Sequence, residues 1–299
     1  MKAFDLSIII PVYNRVGELT RTLETLRAQT LDKARFEVVI ADDGSAEDVR
    51  GALSAFPDLN TVYCWQEDMG FRVAAARNLG VSHACGDILV FNDNGILFSP
   101  NTLEQHLRLH ADRENLLLLG TMYATSAHSD PDAMRAILDE CAPAVAIARM
   151  KQACNMGDGR EGYLKRFGDD LSKWYIPWLG LWGGHFSVRA AFLREHGIAF
   201  DENFTSWGGE DNDFGIQLCR AGAYYLLSPD VAVVHYPTPD RANNDIDSQR
   251  FREMYAKVKQ YIADKHDTED VRLWQKLGSH ANDPAARAAA LEAQTGDKA

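Results

Sequence analysis

Apolar and polar positions fall into alternating blocks over the first 125 residues. Residues 6–11 (LSIIIP) form a continuous apolar run rich in β-branched side chains, which predicts a buried strand. Residues 15–29 follow with Val16, Leu19, Leu23 and Leu26 on one stripe, the spacing of an amphipathic helix. The alternation then repeats. Strands are predicted at 36–41, 60–65, 87–91 and 115–124, with helices at 47–55, 73–83 and 102–110. Apolar strands separated by helices predict an α/β fold, with a mostly parallel sheet covered on both faces. After residue 125 the pattern loosens. Two helical stretches, 132–141 and 143–152, lead to a loop, Asn155-Met156-Gly157-Asp158-Gly159. An irregular aromatic group follows, made of Trp174, Tyr175, Trp178 and Trp182. Four rings over nine residues predict a split, with some in the core and one or two lining a cleft. Residues 241–247 read as a polar loop and a candidate lid, and 249–263 as a helix with Phe251, Tyr255, Val258 and Tyr261 apolar. Beyond residue 279 the chain is Ala-rich and charged, which predicts a helix with a frayed end.

Composition narrows the class. The 299 residues can bury a sizeable core, and 46% hydrophobic with 25% charged residues is ordinary for a soluble domain. A net charge of −12 without a long basic run argues against nucleic acid as a partner. The five cysteines are odd in number and lack CxxC spacing, so they predict reduced thiols. No signal peptide and no apolar run of membrane-spanning length is present, so a cytoplasmic location is expected, with loose peripheral membrane association left open.

Candidate chemistry gathers at strand ends. Tyr13 and Asn14 follow the first strand, Asp42 and Asp43 the second, and Asp93 and Asn94 the fourth. Ligands of parallel sheets bind at this carboxyl edge. Taken alone, Asp42-Asp43-Gly44-Ser45 is equally a turn and helix cap. Neither GxGxxG after the first strand nor GxxxxGK[ST] occurs, which argues against dinucleotide dehydrogenases and P-loop enzymes. The densest signal is Trp207-Gly208-Gly209-Glu210-Asp211-Asn212-Asp213, three carboxylates behind an aromatic ring and two glycines. Phe214 and Leu218 at helical spacing put Glu210 and Asp211 in a first helical turn, where exposed N–H groups favour the ionised carboxylate. That arrangement suits removal of a proton from a hydroxyl.

The ordered set resembles family 2 glycosyltransferases of the GT-A fold. It comprises Ile8-Ile9-Ile10-Pro11-Val12-Tyr13-Asn14, Asp42-Asp43-Gly44-Ser45, Gly70-Phe71-Arg72, Ala75-Ala76-Arg77-Asn78 and Trp182-Gly183-Gly184-His185. The Trp207-to-Asp211 segment is similar to the acceptor motif of β-1,4-galactosyltransferases. The resemblance implies a nucleotide-sugar-binding half at 1–125, an acceptor-binding and catalytic half at 126–240, and a C-terminal extension at 241–299. It implies donor contacts from Pro11, Tyr13, Asp43, Arg72 and Asp93, with Asp93 in the DxD motif. It makes Asp211 the base of an inverting displacement and places Glu210, Trp207, Trp182 and His185 at the acceptor. It offers His235 beside Asp93 as a metal ligand.

One position departs from the pattern. Asp93-Asn94-Gly95 puts glycine where DxD carries its second acid. Hard cations prefer charged oxygen ligands, so the Mn²⁺ or Mg²⁺ site is expected to be weaker than in full DxD relatives. Arg72 and Arg241 are the candidate cations for a leaving diphosphate. The expected partners are a nucleotide-sugar donor and a saccharide or other hydroxyl-bearing acceptor. The alternative is a sugar-nucleotide or glycan-binding protein of the same fold with impaired catalysis.

Overall fold

In the computed structural model, described residues are 4–125, 130–152, 157–237 and 249–296. The predicted strands form as β1 (Phe4–Val12), β2 (Phe36–Asp42), β3 (Thr61–Trp65) and β4 (Gly86–Asn92). These four pair in parallel, in the order β3-β2-β1-β4. Three helices alternate with them: α1 (Val16–Arg27), α2 (Val49–Ala52) and α3 (Val73–His83). Every residue of β2 is buried, as expected of a strand covered on both faces. The apolar stripe of α1 goes under the sheet: Leu19, Leu23 and Leu26 are fully buried.

Past β4 the sheet changes character. β5 (Ile96–Phe98), α4 (Thr102–His110) and β6 (Leu116–Tyr123) follow in sequence. The insert contributes α5 (Pro131–Glu140), α6 (Pro143–Gln152) and α7 (Glu161–Phe167). Then β7 (His185–Arg189) threads antiparallel between β4 and β6. After α8 (Ala190–His196) and α9 (Glu210–Arg220), β8 (Tyr224–His235) completes the order β7-β6-β8-β5. The ladder is therefore mixed: β6 and β8 are parallel, but β7 and β5 run the other way. β7 is too short to announce itself by periodicity, and its residues read instead as part of a motif.

An aromatic cluster cements the junction of the two halves. Phe91 of β4 stacks on Phe186 of β7 at 4.8 Å, and Phe200 stacks on Phe214 of α9 at 4.0 Å. Phe91 meets both Phe200 and Phe214 edge-on. This core fixes where the N-terminus of α9 lies relative to the end of β4. From the other side, the chain closes with α10 (Gln249–His266), α11 (Glu269–Leu277) and α12 (Pro284–Gly296). Trp178 is fully buried; its ring packs edge-on against Trp274 of α11, and its indole N–H donates to Asp270 at 2.7 Å. The aromatic group of the insert divides between core and surface. Trp174 and Trp178 are core, Tyr175 is exposed, and Trp182 is half-buried.

Candidate functional site

The carboxyl ends of β1, β2 and β3 and the loop 66–72 meet at one polar edge. Asp43 accepts hydrogen bonds from the Gln66 amide at 2.5 Å and from the Arg72 backbone N–H at 3.1 Å. Burial raises its pKa. The Tyr13 hydroxyl, on a half-exposed ring, donates to Asp68 at 3.0 Å. Gly44 has φ 85°, and a Cβ there would lie 2.3 Å from the Asp68 backbone nitrogen, so only glycine lets the two loops close. Pro11 lies in β1 opposite Ala41. Pro11, Tyr13, Asp43 and the Arg72 backbone are thus brought to one edge. The Arg72 side chain leaves it and pairs with Glu202 at 3.3 Å. Asp42, by contrast, is spent on structure: it accepts from Ser45 N–H and the Tyr63 hydroxyl.

A strained turn supports the edge. Asn14 and Arg15 both adopt left-handed backbone (φ 55° and 58°). The cross-loop bonds hold them there. Glu47 accepts from the backbone N–H groups of Arg15 and Val16, while the Asn14 side-chain oxygen Oδ1 accepts from Ala46 and Glu47 N–H. Asn94 in turn donates to the Arg15 carbonyl at 3.1 Å, anchoring the Asp93-Asn94-Gly95 turn to the first loop.

The centre of the site is an arginine for which the sequence suggested no role. Arg77 of α3 is fully buried and donates to Asp93 and to Glu210, each at 2.9 Å, and to the Gly183 carbonyl at 3.3 Å. One guanidinium therefore holds the first DxD acid and the first acid of α9 together. Gly183 makes room for it, since a Cβ there would fall 2.8 Å from the guanidinium. Its one sequence signal is its place in the Ala75-Ala76-Arg77-Asn78 segment, and its partners lie 16 and 133 residues away.

Glu210 and Asp211 open α9, behind Gly209 at φ 95°. A Cβ at Gly209 would come 2.3 Å from Val258 of α10, which accounts for glycine at this N-cap. Glu210 is buried, and its second oxygen, Oε2, has no hydrogen-bond partner among the described residues. Asp211, half-buried, accepts from Gly183 N–H at 3.1 Å and Asn212 N–H at 2.8 Å. The helix terminus predicted a readily ionised carboxylate. Instead burial, and next the adjacent Glu210 charge, push the Asp211 pKa up to about 7. Desolvation and like-charge repulsion outweigh the two backbone donors and Arg77. The third carboxylate does not join them. Asp213 is fully buried and paired with Lys265 (2.8 Å) and His266 (2.7 Å) of α10, so it fastens α9 to the C-terminal helices.

His185 is a correction. Expected at the acceptor, it is fully buried and bonded to Asn92 at 2.8 Å and His106 at 3.0 Å. Successive side chains of a strand face opposite ways. Phe186 takes the α9 side, so His185 and Ser187 take the α4 side, where Ser187 joins His106 and His110. Burial lowers the pKa of all three histidines. Trp182 lies under Arg160, whose guanidinium sits 5.2 Å from its ring, with Gly159 against its edge. Trp207 is 48% exposed and leans on Phe251.

Among the described residues, no three His, Cys, Asp or Glu side chains converge as a metal cluster. His235 pairs opposite Ile96 in the β5–β8 ladder, and its Nδ1 lies 2.9 Å from the Tyr236 carbonyl. Asp93 has 38% of its side chain exposed, and the Asn94 side-chain oxygen is buried with no partner. A hard dication at a phosphoryl site takes one or two protein oxygens and completes its shell with phosphate and water. Asp93 and Asn94 are oxygens of that kind, so the residues fit such an ion. Arg241, the other candidate cation, and the 241–247 loop lie outside the described residues, as do residues 155 and 156 of the 155–159 loop.

Comparison with known proteins gives relatives by sequence and by fold. The pattern described as Glycosyl transferase family 2 matches residues 7–168. A validoxylamine A glucosyltransferase of Streptomyces hygroscopicus subsp. jinggangensis is 38% identical over 226 residues, 75% of this chain and 53% of that protein. The chain thus spans about half the length of such curated relatives. Among solved structures, S. aureus TarS 1–349 in complex with UDP-GlcNAc superposes with a TM-score of 0.65 at 19% identity, covering 93% of this chain and 73% of that one. The mannosyltransferase PcManGT of Pyrobaculum calidifontis, in complex with GDP-Man and Mn²⁺, gives 0.59 at 19% identity, covering 98% and 76%. The match over residues 7–168 makes this chain a member of glycosyltransferase family 2, and the sheet and the superpositions give it the GT-A fold.

Proposed function

We propose that this protein transfers a sugar from a nucleotide-diphosphate donor to an acceptor hydroxyl by a single inverting displacement, with Asp211 as the base. The observation that carries the reading is the Arg77 bridge, which sets Asp93 and the Glu210-Asp211 pair around one space. In the reaction, the acceptor oxygen forms a bond to the anomeric carbon as the bond to the diphosphate breaks. The acceptor proton passes to Asp211, and the diphosphate leaves with the electron pair. A base with a pKa near 7 is well matched to neutral pH. The unpartnered Oε2 of Glu210 is available to accept a hydrogen bond from a second acceptor hydroxyl. Pro11, Tyr13 and Asp43 hold the nucleoside end, with the Arg72 backbone N–H fixing the Asp43 carboxylate. Asp93 and Asn94, with His235 as a further ligand, would hold Mn²⁺ or Mg²⁺; bound there, the ion offsets charge on the leaving diphosphate. The relatives named above support the donor class.

Gly95 favours a second reading, in which the fold binds sugar nucleotides without turning them over. One assay separates the two. UDP-glucose, UDP-GlcNAc and GDP-mannose are each incubated with the protein and Mn²⁺, and nucleoside diphosphate release is followed. Release that Asp211→Asn abolishes supports transfer; diphosphate binding without release from any donor supports the second reading.

A further inference from the structure

On the α4 side of the sheet, five buried polar side chains form one continuous file: His110 and His106 of α4, Ser187 and His185 of β7, and Asn92 of β4. Burial holds all three rings neutral, His110 and His185 down to about 3, so each has one proton to place. Asn92 stands directly opposite His185 in the β4–β7 ladder. Its amide donates to the Asp93 carbonyl at 3.1 Å, and that carbonyl also closes the Asp93-Asn94-Gly95 turn by accepting from Ile96 N–H at 3.2 Å. The amide nitrogen is thus committed to the turn, and Oδ1, which can only accept, lies 2.8 Å from His185 Nδ1. His185 must therefore carry its proton on Nδ1, leaving Nε2 bare toward His106 Nε2 at 3.0 Å. His106 must then donate from Nε2 and accept at Nδ1 from the Ser187 hydroxyl at 2.8 Å. The Ser187 oxygen is left to accept from His110 Nε2–H, also at 2.8 Å. His110 Nδ1 ends the file as a bare lone pair, and it is buried with no partner among the described residues. The opposite order fails at both ends. It would turn the Asn92 amide oxygen onto the Asp93 carbonyl and leave a buried N–H of His110 unpaired, a rarer fault than an idle acceptor.

We propose that this file is a one-way hydrogen-bond chain, from His110 through Ser187, His106, His185 and Asn92 to the Asp93 main chain, and that His185 is a positioning residue for Asp93. The order of protons stands by itself; the role of Asp93 rests on the transferase reading above. His185 acts through Asn92, which holds the carbonyl of the turn while Arg77 holds the Asp93 carboxylate. Asp93 N–H, donating to the Gly184 carbonyl at 2.8 Å, ties the same turn to the residue before His185. Asp93 and Asn94, the oxygens proposed to hold the ion, both ride on this turn. With glycine at 95 in place of a second acid, the angle at which the turn presents them carries more of the binding.

The test has two arms on the whole protein. In the first, histidine is isotope-labelled and long-range proton–nitrogen correlation spectra report which ring nitrogen carries the proton, with His106→Gln, His110→Gln and His185→Gln assigning the signals. The expected pattern is Nδ1–H for His185, the reverse of the form that free neutral imidazole prefers, and Nε2–H for His106 and His110. In the second arm, UDP and GDP are titrated calorimetrically with Mn²⁺ and with chelator. His185→Leu and Asn92→Leu should lose the several-fold tightening by Mn²⁺ and keep the affinity seen in chelator. His185→Gln, which retains a donor and an acceptor, should keep the Mn²⁺ gain. A merely structural role would lower the melting temperature of the leucine variants without separating the two titrations. A proton on His185 Nε2 in the parent chain overturns the proposal even where a variant fails to fold, and so does a Mn²⁺ gain that survives in both leucine variants. If the parent binds a diphosphate and Mn²⁺ adds nothing, the positioning role fails and the transferase reading stands. If the parent binds neither diphosphate, the transferase reading fails, and the positioning role with it.

Discussion

The two sides of the cleft obtain their chemistry by different means. On the proposed donor side, each polar residue stands just past the end of a parallel strand, so the sheet itself delivers Tyr13, Asp43 and Asp93 to one edge. On the acceptor side, the two carboxylates sit on a helix start that borrows its position. The Phe91-Phe186-Phe200-Phe214 cluster supports it from below, Arg77 holds it from the donor side, and Asp213 ties it to α10. The donor pocket should therefore tolerate loss of individual side chains, while the acceptor side should respond to changes far from the chemistry.

The largest effect is expected at Asp211. Asp211→Asn should leave diphosphate affinity intact and lower turnover by ~10²–10⁴, the usual loss for a general base. The same change should stabilise the protein at alkaline pH. The folded pKa of Asp211 lies above the unfolded value, so its favourable contribution is complete below about pH 4 and is lost as pH rises toward 7. Thermal melting at pH 5 and pH 8 checks the sign: the variant's advantage over the parent should grow with pH.

Arg77 comes next. Arg77→Met removes one partner of a buried charge and leaves Glu210 uncompensated, at a cost of about 3–5 kcal/mol in unfolding free energy. Adding Glu210→Gln should recover part of that loss, and chemical denaturation of the single and double variants measures it. A single variant as stable as the parent would show that the bridge does not join the two sides.

Asp43→Ala should weaken diphosphate binding by about tenfold, the worth of one charge-assisted hydrogen bond, and leave saccharide binding unchanged. Equal loss of both would make the pocket a general fold element and remove the contrast. The smallest effect is expected from the metal. Mn²⁺ should tighten diphosphate binding only several-fold, and Asp93→Ala should abolish that gain while His235→Ala reduces it. Calorimetric titration with Mn²⁺ and with chelator checks both, and identical affinity in chelator would leave side-chain cations to meet the leaving charge.

The same contrast explains what could be read in the sequence. The donor half was legible because runs such as FEVVIA report burial on both faces, and the residue after each run must lie at the sheet edge. The acceptor half was legible as a motif but not as geometry. Nothing local shows that Asp213 turns toward His266, 53 residues on, or that Glu210 meets Arg77. His185 misled because a short strand gives too little alternation to fix which way a side chain points. The elevated Asp211 pKa was also out of reach, since helix position can be read locally while burial and the neighbouring charge depend on the tertiary fold.

The most direct test of the central claim is the anomeric configuration of the first product. An α-linked nucleotide sugar is given to the protein with water or a saccharide as acceptor. The anomeric proton of the released or transferred sugar is then followed by NMR before mutarotation. Single displacement with Asp211 as base predicts a β product at first appearance, formed at a rate that rises with pH through about 7. An α product at first appearance, or a rate unaffected by Asp211→Asn, would contradict it.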